Sequence, residues 1–252
     1  MPLVSSLMGM DRLGHDNTSF VVMIGTYGNR YANLAIANAD LVLALGTRLD
    51  TRQTGTLPSS FARVAVIVHV DIDSHELGNK IKCGHEIHAD AGEFLASINK
   101  HIGKYDPDKI QPWKQKIKRY KALYPSFQQD NKKIDPNHFL HKVSSFVLDD
   151  AIFCVDVGQN QMWSAQSLYL KGTRQFLTQG GMGAMGSSLA MAIGASFASP
   201  GRQIIAITGD GGFQLNIQEL QTIKHHNLPI KIILLNNGCY GMVRQFQEQY
   251  FE

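Results

Sequence analysis

The chain has 252 residues, enough for one large or two ordinary domains, and its 44% hydrophobic and 18% charged residues match a globular protein. Its 24 basic and 21 acidic residues are spread along the chain, and no basic tail or arginine-rich helix indicates nucleic-acid binding. Three widely spaced cysteines do not indicate a disulfide framework, no apolar run is long enough to span a bilayer, and the N-terminus lacks a signal-peptide pattern. We therefore expect a cytoplasmic protein with no nucleic-acid and no membrane partner.

The first part of the chain, residues 1–104, contains helix-like and strand-like segments. A segment of helical composition, Tyr31–Asn38, precedes the apolar runs Asp40–Leu45 and Val64–Val70, whose leucine and β-branched residues are typical of buried parallel strands. A closing helix is predicted over Asp90–Lys100. These segments predict a first α/β domain over residues 1–104.

The next stretch, residues 105–134, has a weaker pattern. Lysines and prolines cluster there, and Trp113–Leu123 has the composition of an exposed helix. We interpret the stretch as an interdomain linker, and its lysines as a solvated helix face rather than an interaction surface.

The remaining part, residues 135–252, alternates strands and helices regularly. Asp135 and Pro136 begin a predicted helix that runs through Val147, with the aspartate as N-cap and the proline in the first turn. Four apolar runs predict strands: Ala151–Val155, Arg174–Thr178, Gln203–Thr208 and Ile230–Leu235. Short turns between alternating strands and helices predict a doubly wound parallel sheet, which binds ligands outside the carboxyl ends of its strands. The predicted fold class is therefore α/β, with two doubly wound parallel-sheet domains.

Asp210 and Asn237 follow two successive strands of this second domain. A carboxylate and a carboxamide at neighbouring strand ends offer two hard oxygen ligands to Mg²⁺, and the backbone carbonyl of Cys239 is a candidate third. Glycines on both sides of Asp210, at positions 209, 211 and 212, allow close approach of a diphosphate. In the alternative interpretation, Asp210 only caps a helix that begins near Gln214, and Asn237 only turns the chain. Because both residues occur together at opposite ends of one helix–strand unit, we favour the metal site.

Two further glycine-containing segments follow predicted strands. Gly181–Gly186 fits the pattern GxGxxG, which allows dinucleotide binding or simply close packing of a helix on the sheet. The strand before it is not the first of its block, whereas the dinucleotide fingerprint normally follows a first strand. The turn at Gly158 and Gln159 would either hold a phosphate through backbone amides or form an ordinary strand-to-helix turn.

These motifs resemble those of the acetolactate synthase large-subunit family of thiamine diphosphate enzymes. The similarity covers nearly the whole chain, from the family's middle domain into its diphosphate-binding domain. The matching motifs are Leu7-Met8-Gly9, Gly25-Thr26-Tyr27-Gly28, Gly46-Thr47-Arg48-Leu49-Asp50, Asp71-Ile72-Asp73, Gly158-Gln159-Asn160-Gln161-Met162-Trp163, Gly180–Gly186, Gly209-Asp210-Gly211-Gly212, Asn236-Asn237 and Gly241-Met242-Val243.

The resemblance implies a role for each matching residue. Asp210, Asn237 and the Cys239 carbonyl would bind Mg²⁺. Gly183 would accept a hydrogen bond from the aminopyrimidine of the cofactor, and Met185 would hold the cofactor in the bent shape in which its own amine removes the thiazolium proton. The residues expected to line the diphosphate are Gly158, Gln159, Asn160, Gly209, Gly211, Gly212, Gly241 and Met242. Gly25, Gly28 and Arg48 match the residues along which the family holds FAD, which makes FAD a candidate cofactor.

The sequence departs from the family pattern at three of these motifs. Asn160 replaces the histidine of the GQHQMW-type motif, and Thr26 replaces the methionine of the GMHG-type loop. Phe246 stands where family members have the tryptophan that favours a larger second keto acid. These changes leave the thiamine diphosphate motifs intact and concern the acceptor substrate.

The resemblance implies a transferase of branched-chain amino acid biosynthesis that decarboxylates pyruvate and joins the product to a second 2-keto acid. It implies a homodimer or homotetramer, with a regulatory subunit as a further candidate partner. The alternatives are a thiamine diphosphate-dependent decarboxylase or lyase acting on another 2-keto acid, and a non-catalytic binding module of the same fold. In the family, the glutamate that activates the cofactor belongs to an N-terminal domain. Both ends of the chain read as truncated, so we expect the polypeptide alone to be inactive.

Overall fold

The structure, a computed structural model, describes residues 1–103, 106–127 and 134–251, so the remaining residues of the predicted linker and domain ends lie outside it. The described chain divides into two compact units. The first contains Met1–Ser6 and the described residues of Val21–Pro125, and the second contains Leu7–Phe20 and those from Ser126 onward. This division differs from the predicted domain ranges in grouping Leu7–Phe20 with the second unit.

The first part of the chain forms a three-stranded parallel sheet with flanking helices. The strands in chain order are β1 (Leu3–Ser5), β2 (Phe20–Met23), β3 (Leu41–Leu45), β4 (Val66–Asp71) and β5 (His85–His88). The helices are α1 (Arg30–Ala37), α2 (Thr51–Thr54), α3 (Ala91–His101) and α4 (Gln111–Leu123). β4 lies between β3 and β5, and both pairs are parallel. β1 and β2 form a separate two-stranded sheet, which the sequence did not predict because both strands are short.

The predicted boundaries in this part agree with the observed ones to within about two residues. Asp90 begins α3 as predicted, because its carboxylate accepts hydrogen bonds from the backbone amides of Gly92 and Glu93. Alternate residues of β3 and β4, such as Val42 and Ile67, are buried in one apolar core. The predicted α/β character of this part is therefore confirmed.

The second unit is built on a four-stranded parallel sheet. Its strands are β6 (Ile152–Val155), β7 (Gln175–Thr178), β8 (Ile204–Gly209) and β9 (Lys231–Leu235). Its helices are α5 (Pro136–Val143), α6 (Gln159–Ser167), α7 (Ser187–Ala198), α8 (Asp210–Leu215), α9 (Glu219–His225) and α10 (Gly241–Tyr250). All four predicted strands are present, whereas the helix-like run between β8 and β9 is two helices. The first predicted helix ends at Val143 instead of Val147.

The strand order β7-β6-β8-β9 gives this sheet a topological switch point. β6 comes first along the chain, and its two neighbours β7 and β8 lie on opposite sides of it. The connections after β6 and after β7 therefore leave the sheet in opposite directions, which opens a crevice at the carboxyl ends of β6 and β8. The doubly wound parallel sheet predicted from the sequence is confirmed, and it locates the expected ligand site.

The core of the second unit lies between this sheet and α7. Ile152 and Cys154 from β6, Leu189 and Ala192 from α7, and Ile204 from β8 are all at most 2% exposed. α7 packs closely on the sheet because its sequence, SSLAMAIGASFA, is rich in small residues. Within the described ranges, no helix is both long and apolar enough to cross a membrane.

Candidate functional site

A cleft lies at the carboxyl ends of β6, β8 and β9, at the switch point of the sheet. Each wall begins where a strand ends and a helix starts, so residues from distant parts of the sequence meet there. The lining residues are Val157, Gly158, Gln159, Asn160, Trp163, Met185, Gly209, Asp210, Gly211, Gly212, Leu235, Asn237, Cys239, Tyr240, Gly241, Met242 and Val243. Asp210 contributes the one side-chain carboxylate among them.

The side-chain amide of Asn237 lies between oxygens of Asp210 and Cys239 at one end of this cleft. Nδ2 of Asn237 donates to Oε1 of Gln159 at 2.9 Å, which turns Oδ1 of Asn237 toward Oδ1 of Asp210 at 3.0 Å and toward the carbonyl oxygen of Cys239 at 2.7 Å. With the amide reversed, its nitrogen would donate to both oxygens, but the Gln159 amide would then have to reverse as well. The orientation with Oδ1 facing these oxygens is the one that a bound cation would favour, and in it Oδ1 also accepts the backbone N–H of Cys239 at 3.3 Å.

The spacing of these oxygens fits Mg²⁺. Bonds of 2.0–2.1 Å at right angles place neighbouring ligand oxygens about 3 Å apart in an octahedral shell, close to the separations around Asn237. Among residues 1–103, 106–127 and 134–251, no group of three or more His, Cys, Asp or Glu side chains is arranged to hold a metal ion. The oxygen set differs from such a group, since it combines one carboxylate, one carboxamide and one backbone carbonyl. Asp210 does not cap a helix that begins near Gln214, because α8 already begins at Asp210 and its N-cap residue is Gly209.

The cleft also presents helix N-termini and glycine backbone, and Gly241 at the start of α10 lies close to the Asn237 side chain. α6 and α10 begin at Gln159 and Gly241, and neither N-terminus is capped by a side chain. Uncapped amides at the start of a helix attract anions. Gly158 has a φ of 140°, and a β-carbon there would approach Oδ1 of Asn160 to 2.8 Å. The turn at Gly158 therefore needs glycine, and the amides at the two helix starts can accept a phosphate group.

A buried carboxylate connects the strand and helix ends that form the cleft. Asp156 is 0% exposed and accepts hydrogen bonds from the amides of Val157, Gly186 and Ser187 and from the Thr208 hydroxyl, at 2.8 to 3.2 Å. It therefore joins the end of β6 to the start of α7 and to β8. No role was predicted for Asp156, because most of its partners are distant in sequence. Its position directly after a buried strand was the available signal.

The predicted site residues divide into three groups. Twelve of them line the cleft together: Gly158, Gln159, Asn160, Met185, Gly209, Asp210, Gly211, Gly212, Asn237, Cys239, Gly241 and Met242. Gly183 is not among the lining residues, although it has a φ of 70° in the loop before Met185. Gly25, Gly28 and Arg48 belong to the first unit. The cleft also includes Trp163 and Tyr240, for which no role was predicted.

Both glycines that were predicted to hold FAD are required by the local backbone, where a β-carbon would not fit. Gly25 has a φ of 112°, and a β-carbon there would overlap the backbone carbonyl of Arg52. A β-carbon on Gly28 would overlap the backbone of Ile24. The Arg48 side chain is 71% exposed and pairs with Glu76 at 3.3 Å. FAD binding at these residues stays a prediction.

The GxGxxG segment forms the connection between β7 and α7. β7 is an edge strand and the second strand of its sheet along the chain, whereas a dinucleotide fingerprint follows the first. Within the segment, Met182 is 97% exposed, whereas Met185 lines the cleft. The position argues against a dinucleotide site and is consistent with a loop that closes the cleft beside Asp210.

Comparison with known proteins gives two family matches. The family model described as "Thiamine pyrophosphate enzyme, central domain" matches residues 1–98, and that described as "Thiamine pyrophosphate enzyme, C-terminal TPP binding domain" matches residues 156–252. The two ranges together cover more than half of the chain and include the whole cleft.

Similar proteins align with this chain from end to end. The acetolactate synthase large subunit of Cyanidium caldarium is 38% identical to it, and the chain covers 43% of that protein. Acetolactate synthase 2, chloroplastic, of Nicotiana tabacum is 40% identical, with 38% of its length covered. The acetolactate synthase large subunit of Lactococcus lactis is 37% identical, with 44% covered. The chain thus spans less than half the length of these relatives.

Proposed function

Because the chain belongs to the thiamine pyrophosphate enzyme family, we propose that its cleft binds thiamine diphosphate together with Mg²⁺. Membership confirms the resemblance indicated by the sequence motifs. The observation that carries the proposal is that the Asn237 carboxamide lies within 3.0 Å of Oδ1 of Asp210 and of the Cys239 carbonyl oxygen, beside two uncapped helix N-termini. A metal-bound diphosphate needs both features, since the cation neutralises part of its charge and the amides take the remainder.

The residues at the Asp210 end of the cleft have distinct tasks in this proposal. Asp210, Asn237 and the Cys239 carbonyl would hold the cation. Gln159 fixes the orientation of Asn237 by accepting its N–H, so that the amide oxygen faces the metal position. The amides at the starts of α6 and α10 would bind phosphate oxygens.

Thiamine diphosphate, when bound, supplies a nucleophilic carbon that attacks 2-keto acids and stabilises the charge left by decarboxylation. The chain's part is to hold that carbon in position and exclude water. Met185 lines the same cleft as Asp210, and its apolar side chain can support the middle of a bent ligand. Gly183 would accept a hydrogen bond from the aminopyrimidine amine through its carbonyl.

We further propose that the whole protein decarboxylates pyruvate and joins the two-carbon product to a second 2-keto acid. Support comes from the names of the relatives, which are acetolactate synthases. The described residues lining the cleft include no glutamate, whereas the resemblance implies an activating glutamate from another domain. The site would then be completed across a subunit interface, and the 252-residue chain alone would bind cofactor without turnover.

A second candidate reaction is suggested by one residue. Phe246, on α10, is 57% exposed and lies on the helix that begins at Gly241 in the cleft. It occupies the family position of a tryptophan that selects the larger acceptor. A thiamine diphosphate-dependent decarboxylase or lyase acting on another 2-keto acid would use the same cofactor cleft. Product analysis of the whole protein, for acetolactate against released aldehyde, separates the two reactions.

Titration calorimetry on the 252-residue chain tests the cofactor proposal. We expect thiamine diphosphate to bind in the presence of Mg²⁺ and to lose most of its affinity when EDTA removes the cation. Asn237→Ala should weaken binding, because the metal loses a ligand and the Gln159 amide its partner. Absence of Mg²⁺-dependent binding to the well-folded wild-type chain would overturn the proposal and favour a non-catalytic module.

A further inference from the structure

We infer that Asp156 and Asn216 are positioning residues that tie the loop carrying Gly183 and Met185 to the helix carrying Asp210. The inference rests on the proposed function and deepens it, because it concerns how the two halves of one cofactor site are held at a fixed spacing. Neither residue lines the cleft, and neither is expected to touch the cofactor.

Gly186 is the residue through which the loop carrying Gly183 and Met185 contacts Asp156 and Asn216. It ends the glycine-rich loop, and its backbone is held at both polar groups. Its N–H donates to both carboxylate oxygens of Asp156, at 2.9 and 3.0 Å, and its carbonyl accepts from Nδ2 of Asn216 at 2.7 Å. The φ of Gly186 is 83°, a conformation that other residues rarely adopt. The end of the loop is therefore fixed by two side chains from different parts of the sheet edge.

The bond from Asn216 to Gly186 links the loop to Asp210 through one short helix, α8. α8 begins at Asp210, and Asn216 directly follows its last residue. A six-residue helix is about 9 Å long, so a displacement of the loop anchor at one end is passed to the carboxylate at the other. Gly212 lies between them, and a β-carbon there would overlap the Asp156 carboxylate. Loop, buried carboxylate and helix thus form one contiguous packed unit.

The start of the same loop is also anchored. Nε2 of Gln161, which is 2% exposed, donates to the Thr178 hydroxyl at 2.6 Å and to the Gln179 carbonyl at 3.3 Å. With Gln161 at one end and Asp156 and Asn216 at the other, the segment between has both ends fixed and Met182 free in solvent. We conclude that the fixed ends hold Gly183 and Met185 in the binding conformation before the ligand arrives, which lowers the ordering cost of binding.

Two ligands distinguish this role from a general effect on folding. Mg²⁺ with inorganic pyrophosphate occupies only the diphosphate half, whereas Mg²⁺ with thiamine diphosphate also needs the loop. Loss of one hydrogen-bonded anchor leaves a smaller fraction of the chain competent to bind, so Asn216→Ala should weaken thiamine diphosphate binding about tenfold. Its affinity for Mg²⁺-pyrophosphate should match that of wild type.

The matched control is Gln218→Ala. The exposed Gln218 donates to Oδ1 of Asn216 at 3.0 Å, whereas the bond to Gly186 comes from Nδ2 of Asn216, so removal of the Gln218 side chain should change neither affinity. If Asn216→Ala weakens both ligands equally, or neither, the coupling role is wrong. If the wild-type chain binds Mg²⁺-pyrophosphate but not thiamine diphosphate, the proposed function fails, and the inference falls with it.

Hydrogen exchange tests the anchor itself without any ligand. In the ligand-free wild-type chain, the amides of Gly186 and Ser187 should exchange slowly, because both donate to Asp156. Asp156→Asn places an NH₂ group against donors and should accelerate exchange of these two amides while leaving the β6 and β8 amides protected. Unchanged exchange at Gly186 would refute the anchor independently of cofactor binding, and uniform acceleration throughout the unit would show that Asp156 only stabilises the fold.

Discussion

The side-chain amide of Asn237 lies 3.0 Å from Oδ1 of Asp210, across the ends of the neighbouring parallel strands β9 and β8. The two residues are joined by no covalent or helical constraint, and they meet because parallel strands end at one edge of the sheet. A pair of oxygen ligands on rigid strand ends holds a cation with little rearrangement, which is the geometric basis of the proposed cofactor site.

This pair predicts a metal-dependent gain in stability. Mg²⁺ with pyrophosphate should raise the melting temperature of the wild-type chain, with a gain of about 2.7 kcal/mol when the ligand is at about one hundred times its Kd. Asp210→Asn and Asn237→Ala should both lose most of this shift. Asp90→Asn is the matched control, since it changes a charge while retaining an oxygen that caps α3. A wild-type shift in Asp210→Asn, measured by scanning calorimetry, would contradict the metal site.

The sequence predicted this pair because both residues follow strongly apolar strands, and the order of such strands constrains where their ends lie. It did not predict the role of Asp156, whose partners Gly186 and Thr208 are 30 and 52 positions away. Hydrogen bonds between distant segments leave no periodic pattern in a sequence. α5 ends earlier than predicted, and beyond it the amides of Ser145 and Phe146 donate to the carbonyls three residues back, of Lys142 and Val143, as in a tightened turn.

Gly212 and Gly211 are adjacent in α8 but should respond differently to alanine. A β-carbon on Gly212 would overlap Oδ2 of Asp156 and lie 3.2 Å from the Thr208 hydroxyl, and both partners are fully buried. Gly212→Ala should therefore lower the free energy of unfolding by about 1–3 kcal/mol.

The matched variant is Gly211→Ala. Its β-carbon would approach the ring of Tyr240, which is 50% exposed and free to rotate away, while alanine improves helix propensity by about 1 kcal/mol. Its free energy of unfolding should stay close to that of wild type. Urea denaturation measures both, and equal losses in the two variants would show that Asp156 does not set the space at Gly212.

Replacing Arg174 by lysine should destabilise the fold, because lysine cannot match the hydrogen-bonding geometry of the guanidinium. Its residue is 4% exposed, and its guanidinium donates to the carbonyls of Leu148, Tyr169 and Val147 at 2.7 to 3.0 Å. A lysine ammonium cannot reproduce three donors in this planar arrangement, so Arg174→Lys should cost about 2–3 kcal/mol in the free energy of unfolding. Arg12→Lys is the control, because that side chain is 75% exposed. Equal stability of the two variants in urea would refute the assigned role of Arg174.

The thiols should differ in reactivity because their surroundings differ. Burial raises the pKa of Cys154 from 9.0 to about 12, whereas Cys239 is half-buried and lines the cleft. Iodoacetamide should label Cys239 in the native chain, where this residue lines the cleft, and Cys154 only after unfolding, because burial both shields the Cys154 thiol and disfavours its thiolate. Thiamine diphosphate with Mg²⁺ should slow labelling of Cys239, as peptide mass spectrometry can measure.

The same raised pKa sets the sign of a stability effect. The unfolded chain ionises Cys154 near pH 9.0 and the folded chain near 12, so folding retains a proton in this interval. The free energy of unfolding should fall as the pH rises from about 9 toward 12, with no contribution from Cys154 below that range. Cys154→Val removes the thiol while keeping an apolar side chain, and its unfolding free energy should fall less steeply over the same interval. Identical pH slopes for wild type and Cys154→Val would show that the Cys154 thiol does not titrate differently in the folded and unfolded chains.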